Sequence, residues 1–319
     1  MKNLQTDIKI LGIETIKNIS NSKSINTLRA YRSDFDNFAS FCITNGFNYL
    51  PTQPQIVSLY LTKMSKNSKF STLKRRIASI SVIHKLKGHY LDVKHPIIIE
   101  NLQGIKRNIG TRQYSKKPLL MNNLKLIIDV LNNNIVNKYE LKKVSTKKIE
   151  LRNSRDKALI LIGFAGGFRR SELISIEYND IEFVDEGVKI LVKKSKTDQS
   201  GEGQIKAIPY FDNKTYCPVL ALKNYIEIKF TDTKQGVIFD ISDKSVALII
   251  KKYANKAGLD GSKYAGHSLR SGFASTAAEF GAEERSIMTM TGHKTTQMVR
   301  RYIQEANLFK NNALNKIKF

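Results

Sequence analysis

The chain has 319 residues, 41% of them hydrophobic and 25% charged, the balance of an ordinary globular protein long enough for two domains. Fifty-three Lys and Arg stand against 28 Asp and Glu, a net charge of +25. That excess predicts a polyanionic partner, nucleic acid ahead of an acidic membrane surface, because basic side chains gain free energy by releasing counterions condensed on a polyphosphate. Two cysteines rule out a disulfide framework or a four-cysteine zinc site, and no apolar run reaches the ~18–20 residues of a membrane span. The acid-bearing start does not read as a secretory signal, so the expected compartment is the cytoplasm, at the nucleoid, with no membrane partner.

Residues 1–118 hold 20 basic and 6 acidic residues and carry the denser positive charge. Leu28, Tyr31, Phe35, Phe38 and Phe41 recur at helical spacing behind Asn26 or Thr27 as N-cap, and Gly46 ends that helix. A second helix opens at Pro51–Pro54 and runs through Ile56, Leu59, Tyr60 and Met64. A third covers 71–86 with Leu73, Ile77, Ile80 and Ile83 inward and Lys74, Arg75 and Arg76 on the opposite side as DNA contacts. A fourth covers 97–109. The basic, proline-closed run 111–118, with Arg112, Lys116 and Lys117 as further DNA contacts, reads as a linker between a domain at 1–110 and another at 119–319.

The second domain begins with helical patterning at 121–131 and 156–164, separated by a polar, Lys-rich segment at 132–148. Residues 187–192 and 204–209 read as paired strands across the polar loop 194–203, and helices follow Cys217-Pro218. The fold class is thus mostly α with one small antiparallel sheet, a basic helical module followed by a larger helical one.

Four short segments carry chemistry. In GGFRRSEL (166–173) two glycines cap a helix, and a carboxylate at Glu172 can fix the guanidinium of Arg169 toward phosphate oxygens; the plain alternative is a helix–turn–helix joint with an exposed arginine. In KKSKTDQ (193–199) a loop ammonium such as Lys196 can donate a proton to a leaving oxygen, although hairpin lysines are ordinarily just solvated. His267 and Arg270 stand at i and i+3, and Thr291-Gly292-His293 is followed nine residues later by Tyr302.

Singly these are weak; in the order Arg, Lys, His-x-x-Arg, Gly-His, Tyr they resemble the tyrosine recombinase, or phage integrase, family. GGFRRSEL is similar to the family's TGLRxSEL box, HSLR (267–270) to its H-x-x-R box, and TGHKTTQMVRRYI (291–303) to LGH-x5-T-x2-Y. The resemblance implies a site-specific recombinase in which Tyr302 attacks a DNA phosphodiester, Arg169 and Arg270 clamp its nonbridging oxygens and Lys196 protonates the departing 5′ oxygen. It implies that His267 takes the tyrosine proton or orients the phosphate, that His293 hydrogen-bonds a nonbridging oxygen and that Glu172 supports them. No metal or other cofactor is expected.

Three features depart from the pattern: Arg170 follows the first arginine, the hairpin holds several lysines, and Arg300 and Arg301 precede the tyrosine. Arg170, Arg300 and Arg301 are expected on backbone phosphate. The partners implied are double-stranded recombination sites, a homotetramer on two sites and accessory DNA-bending or directionality proteins. Leu308, Phe309, Leu314, Ile317 and Phe319 give the tail an apolar stripe for its own domain or for a neighbouring subunit. The competing readings are a single-duplex enzyme of the type IB topoisomerase or telomere-resolvase kind, and a DNA-binding protein of the same fold without cleavage.

Overall fold

The computed structural model describes residues 8, 10–15, 17–18, 22–111, 115–133, 145–193, 195, 198, 202–231, 233–307 and 313–317. The chain divides into two compact units, Met1–Tyr114 and Ser115–Phe319.

In the first unit, α1 (Ile25–Thr44) starts from Ser24, whose hydroxyl accepts the Thr27 amide at 3.3 Å. The cap lies ahead of the expected Asn26 or Thr27, because a serine before the first turn frees both for the helix. Helix α2 (Pro54–Ser65) opens on proline, whose fixed φ and missing N–H suit a first turn. It buries Val57, Tyr60 and Leu61, while Leu59 is exposed. Helix α3 (Phe70–Leu86) sends Leu73, Ile77 and Ile80 into the same core, and α4 (Pro96–Ile109) ends at Gly110.

The basic triplet on α3 is divided. Lys74 is exposed, but Arg75 donates to the buried Asp34 carboxylate at 2.7 Å, and Arg76 donates to Asn37 Oδ1 at 2.6 Å and to the Tyr60 hydroxyl at 2.5 Å. The expectation that Arg76 lies opposite the core is therefore corrected. A buried carboxylate and phenol need donors, and α3 supplies them from its flank.

The second unit begins on the expected linker. Lys116 Nζ donates to Ser262 O at 2.7 Å, and the Lys117 and Leu119 amides donate to Lys263 O and Ser268 O at 2.8 and 2.9 Å. Residues 115–119 are thus bonded to this unit, and Arg112 falls outside the described residues. Helix α5 (Met121–Asn132) precedes α6 (Thr146–Ala165), which starts ten residues earlier than its apolar pattern suggests. Its polar first half is held by Asp156, fully buried beneath Arg155 (2.7 Å) and the Tyr253 hydroxyl (3.1 Å).

A short α7 (Arg170–Ile174) leads into three antiparallel strands, β1 (Ile181–Val184), β2 (Gly187–Val192) and β3 (Gln204–Pro209), in spatial order β1-β2-β3. The strands β2 and β3 span the two segments expected to pair, with a register from Gly187 opposite Pro209 to Val192 opposite Gln204; β1, only four residues long, is not among the expected elements. Helices α8 (Pro218–Lys229), α9 (Asp243–Lys256), α10 (Ser268–Glu279), α11 (Glu284–Thr291) and α12 (Thr296–Asn307) complete the unit. The α6 core residues Leu159, Ile160 and Ile162 are fully buried among α8, α9 and the sheet, a heavily apolar centre that fixes the α6 C-terminus and the Gly166-Gly167 turn after it. No helix among the described residues is long and apolar enough to cross a membrane.

Candidate active site

The end of α6 turns sharply at Gly166-Gly167. Gly167 has φ +55°, a conformation that favours glycine, and a Cβ there would press on Phe273 and Thr291 at 3.1 Å. The turn delivers Arg169 to the N-terminus of α7. Its own amide donates to Glu172 Oε2 at 2.9 Å, its Nη1 to Glu172 Oε1 at 2.5 Å and its Nη2 to Gly292 O at 3.1 Å. Glu172 is buried, so this is a charge-assisted contact largely out of water that fixes the guanidinium plane.

Arg270, on the first turn of α10, is 1% exposed and donates from Nη1 to Gly167 O at 3.0 Å. Burial and the neighbouring Arg169 bring its pKa down to about 10, which leaves it cationic at neutral pH. His267 lies at the start of the same helix with its ring accessible. Desolvation by the cavity wall, with Arg270, Arg169 and Arg170 nearby, holds its pKa below the ordinary histidine range.

Helix α11 ends at Gly292 in the left-handed conformation (φ +60°), returning the chain so that His293 stands beside the helix end with its amide on Met288 O at 3.2 Å. His293 Nδ1 is 2.8 Å from Thr291 Oγ1. Burial, Arg270 and Arg169 push its pKa down to about 4, so the ring is neutral near pH 7. Tyr302, on α12, packs against Ala274, Ile287 and Val299, and its ring centroid lies 6.3 Å from that of His293. Burial raises the phenol pKa while Arg270 lowers it.

Arg169, Arg270, His267, His293 and Tyr302 thus line one cavity of about 950 Å³, with Arg300 and Arg301 at its wall. Arg300 also reaches Glu284 at 3.3 Å. Arg170 is not among the lining residues: its aliphatic stem covers Gly266 and its guanidinium faces Asp243 at 3.9 Å, which separates the two adjacent arginines. Lys196 lies outside the described residues. Its neighbour Lys193 is held by Glu177 and Asp180 at 2.5 and 2.8 Å.

Two residues at the site are not evident from the sequence. Lys206, on β3 and 2% exposed, donates to Gly166 O at 2.7 Å and to Met290 O, with its Nζ 4.8 Å from the centre of the Phe168 ring. It thereby ties the turn that carries Arg169 to the helix end that carries His293. Burial lowers its pKa to about 8. Thr291 is the other. A lysine alternating with apolar residues on an inner strand position was the available signal for the first; the second had only its place before Gly-His. Among the described residues no group of three or more His, Cys, Asp and Glu is placed to hold a metal ion.

This helical fold, with one phenol gathered among guanidiniums and imidazoles, defines a tyrosine recombinase. Residues 127–308 match the phage integrase family, and the chain belongs to that family. It is 38% identical over 322 aligned residues, 96% of this chain and 89% of the relative, to an integrase/recombinase xerD homolog of Selenomonas ruminantium. It is 26% identical to the tyrosine recombinase XerD of Staphylococcus epidermidis over 90% of both chains. Among solved structures, the XerH site-specific recombinase bound to a palindromic difH substrate aligns with TM-score 0.65 at 15% identity, covering 94% of this chain and 84% of that one. A lambda integrase dimer bound to a core site aligns with TM-score 0.57 at 16% identity, covering 97% and 98%. At these identities the likeness is one of fold.

Proposed function

We propose that the basic cavity is where this site-specific tyrosine recombinase cuts and rejoins DNA, with Tyr302 as the nucleophile. The observation that carries the assignment is the convergence of Tyr302 with Arg169, Arg270, His267 and His293, from segments up to 133 positions apart, on one cavity wall. The nonbridging oxygens of a phosphodiester gain charge as it is attacked, and two guanidiniums already fixed by Glu172, Gly292 and Gly167 meet that charge without reorganising. Tyr302 Oη bonds to phosphorus as the bond to the 5′ oxygen breaks. Lys196 supplies the proton to that oxygen, and His267 and His293 serve the phenol proton and the phosphate. The ester keeps the energy of the broken bond, so the reverse attack by a 5′ hydroxyl rejoins a strand with no nucleotide consumed.

The first unit serves as a DNA-binding module on double-stranded recombination sites. Lys66, Lys69, Lys74 and Lys106 surround a hollow of about 660 Å³ at the start of α3, a seat for backbone phosphate. Arg75 and Arg76, committed to Asp34, Asn37 and Tyr60, act by shaping this module, and Lys116 and Lys117 by fixing the start of the second unit. Arg300 and Arg301 contact the scissile strand. Strand exchange requires four subunits on two sites. The tail, of which Leu314 and Ile317 are exposed, docks on a neighbouring subunit; Leu308, Phe309 and Phe319 lie outside the described residues. Accessory DNA-bending or directionality proteins set the outcome, and the work is done at the nucleoid in the cytoplasm.

The test is a suicide substrate nicked beside the target phosphate. The expected result is a covalent protein–DNA adduct that Tyr302→Phe abolishes while binding persists. Tight binding with no adduct from the native chain would instead support a binding protein of the same fold.

A further inference from the structure

Thr291, the last residue of α11, is fully buried, and its hydroxyl touches two carbonyls, Ile287 O closely and Met288 O at 3.5 Å, and one imidazole nitrogen. Its Oγ1 is 2.6 Å from Ile287 O, one helical turn back, and 2.8 Å from His293 Nδ1. A threonine hydroxyl has one hydrogen, and a carbonyl can only accept, so the 2.6 Å contact must use that hydrogen. What Thr291 then presents to His293 is an oxygen lone pair. An imidazole nitrogen against a lone pair at 2.8 Å must carry the proton itself.

We propose that Thr291 is a positioning residue that holds His293 in its Nδ1–H tautomer, so that Nε2 is left as an acceptor toward the cavity and takes the phenolic proton of Tyr302. This rests on the cleavage assignment above and makes one step of it specific. Gly292 supports it independently: its left-handed turn, its carbonyl bonded to Arg169 and the His293 amide on Met288 O fix the backbone from which the ring reaches Thr291. Arg169, Arg270, His267, Lys294 and Tyr302 share the cavity with His293 and Lys206 lies nearby, while Asp198 and Glu202 share with His293 an adjoining hollow of about 520 Å³; burial and the cations, Arg270 and Arg169 first, favour a neutral ring before DNA arrives.

A neutral Nε2 cannot donate to a phosphate oxygen; its lone pair would repel it. The chemistry is resolved in one direction. As Tyr302 Oη bonds to phosphorus and the 5′ oxygen leaves with a proton from Lys196, the phenolic proton passes to His293 Nε2. The imidazolium so formed keeps Nδ1–H on Thr291 and now donates from Nε2 to a nonbridging oxygen of the phosphotyrosyl ester. Rejoining returns the proton to the phenolate. Leucine, which the LGH pattern carries at this place, would offer no acceptor to Nδ1.

The experiment uses the full chain with 15N-labelled histidine, the His293 signal being assigned from the spectrum of a His293→Gln variant among five histidines. In native protein the expected spectrum has a protonated Nδ1 and an unprotonated Nε2. Thr291→Val, which keeps the shape and removes the acceptor, shifts the population toward Nε2–H, and Thr291→Ser restores it. On the nicked substrate at saturating DNA, Thr291→Val slows adduct formation about tenfold, the weight of one hydrogen bond in the barrier, with binding unchanged, and Thr291→Ser recovers the rate. A native His293 in the Nε2–H form, or native-rate cleavage by Thr291→Val, overturns the proposal. Failure of the native chain to form any adduct would count against the cleavage assignment itself, while the native spectrum still decides the tautomer.

Discussion

Glu172 is the group on which the orientation of Arg169 depends, and Glu172→Gln tests that dependence with little change of volume. The carboxylate accepts two donors from the same residue, the amide at 2.9 Å and Nη1 at 2.5 Å. A carboxamide keeps one oxygen, so either the amide or the guanidinium is left facing an NH2 group, and whichever way the side chain turns one bond is lost. A hydrogen bond to a charged group contributes about 1.5–3 kcal/mol. Taking ~2 kcal/mol, a unit of about 200 residues loses roughly 4–8 °C in Tm. If the loss falls instead on alignment of Arg169 in the transition state, the same ~2 kcal/mol is about 30-fold in rate, since 1.36 kcal/mol is tenfold. Thermal unfolding and single-turnover adduct formation on the nicked substrate read the two directly. A variant with native Tm that also cleaves at the native rate would show that Arg169 does not depend on Glu172.

Three further outcomes are expected. Lys206→Met leaves the carbonyls of Gly166 and Met290 without their donor at about 1–3 kcal/mol each, so Tm and cleavage rate both fall; unchanged calorimetry would remove Lys206 from the architecture of the site. In DNA-free protein, His293 binds its proton at about 4 when folded against 6.5 for the free group, so the unfolded chain gains protons first. Its contribution makes stability fall as pH drops from 6.5 toward 4 and level off below, and His293→Gln flattens that part of the pH–stability curve. Lys74→Ala lowers the slope of log K against log salt by about 1, as for one lost phosphate contact, whereas Arg76→Ala chiefly lowers the stability of the first unit; equal salt slopes for native and Lys74→Ala protein would move the phosphate seat elsewhere.

The elements and the chemistry were legible to different depths. Helices α1 to α4 and the β2–β3 pair follow from apolar residues at periods of 3.6 and 2, a property of each segment by itself. The site's arginines, histidines and tyrosine were legible as types in a fixed order, although nothing local shows that they meet. What the sequence did not show depends on distance. Arg76 was expected outward, on DNA, because Leu73, Ile77, Ile80 and Ile83 mark the inward face of its helix, yet Tyr60 and Asn37, more than fifteen positions away, draw it in. Lys206 acquires its meaning only from carbonyls 40 and 84 positions away. Strand β1 was missed because four residues with a half-exposed face give no alternation to detect.

The braces of the cavity run crosswise. Arg169 is held by the carbonyl beside His293, Arg270 by the carbonyl two residues before Arg169, and Lys206 by both turns at once. Each arginine is therefore aligned only when stretches over a hundred positions apart have already docked, and Lys206 only when stretches 40 and 84 positions away have. A half-formed domain, whether emerging from the ribosome or transiently opened by heat, has a phenol but no electrophile trap around it. On the cleavage assignment proposed above, competence to cut thus arrives only with the finished fold.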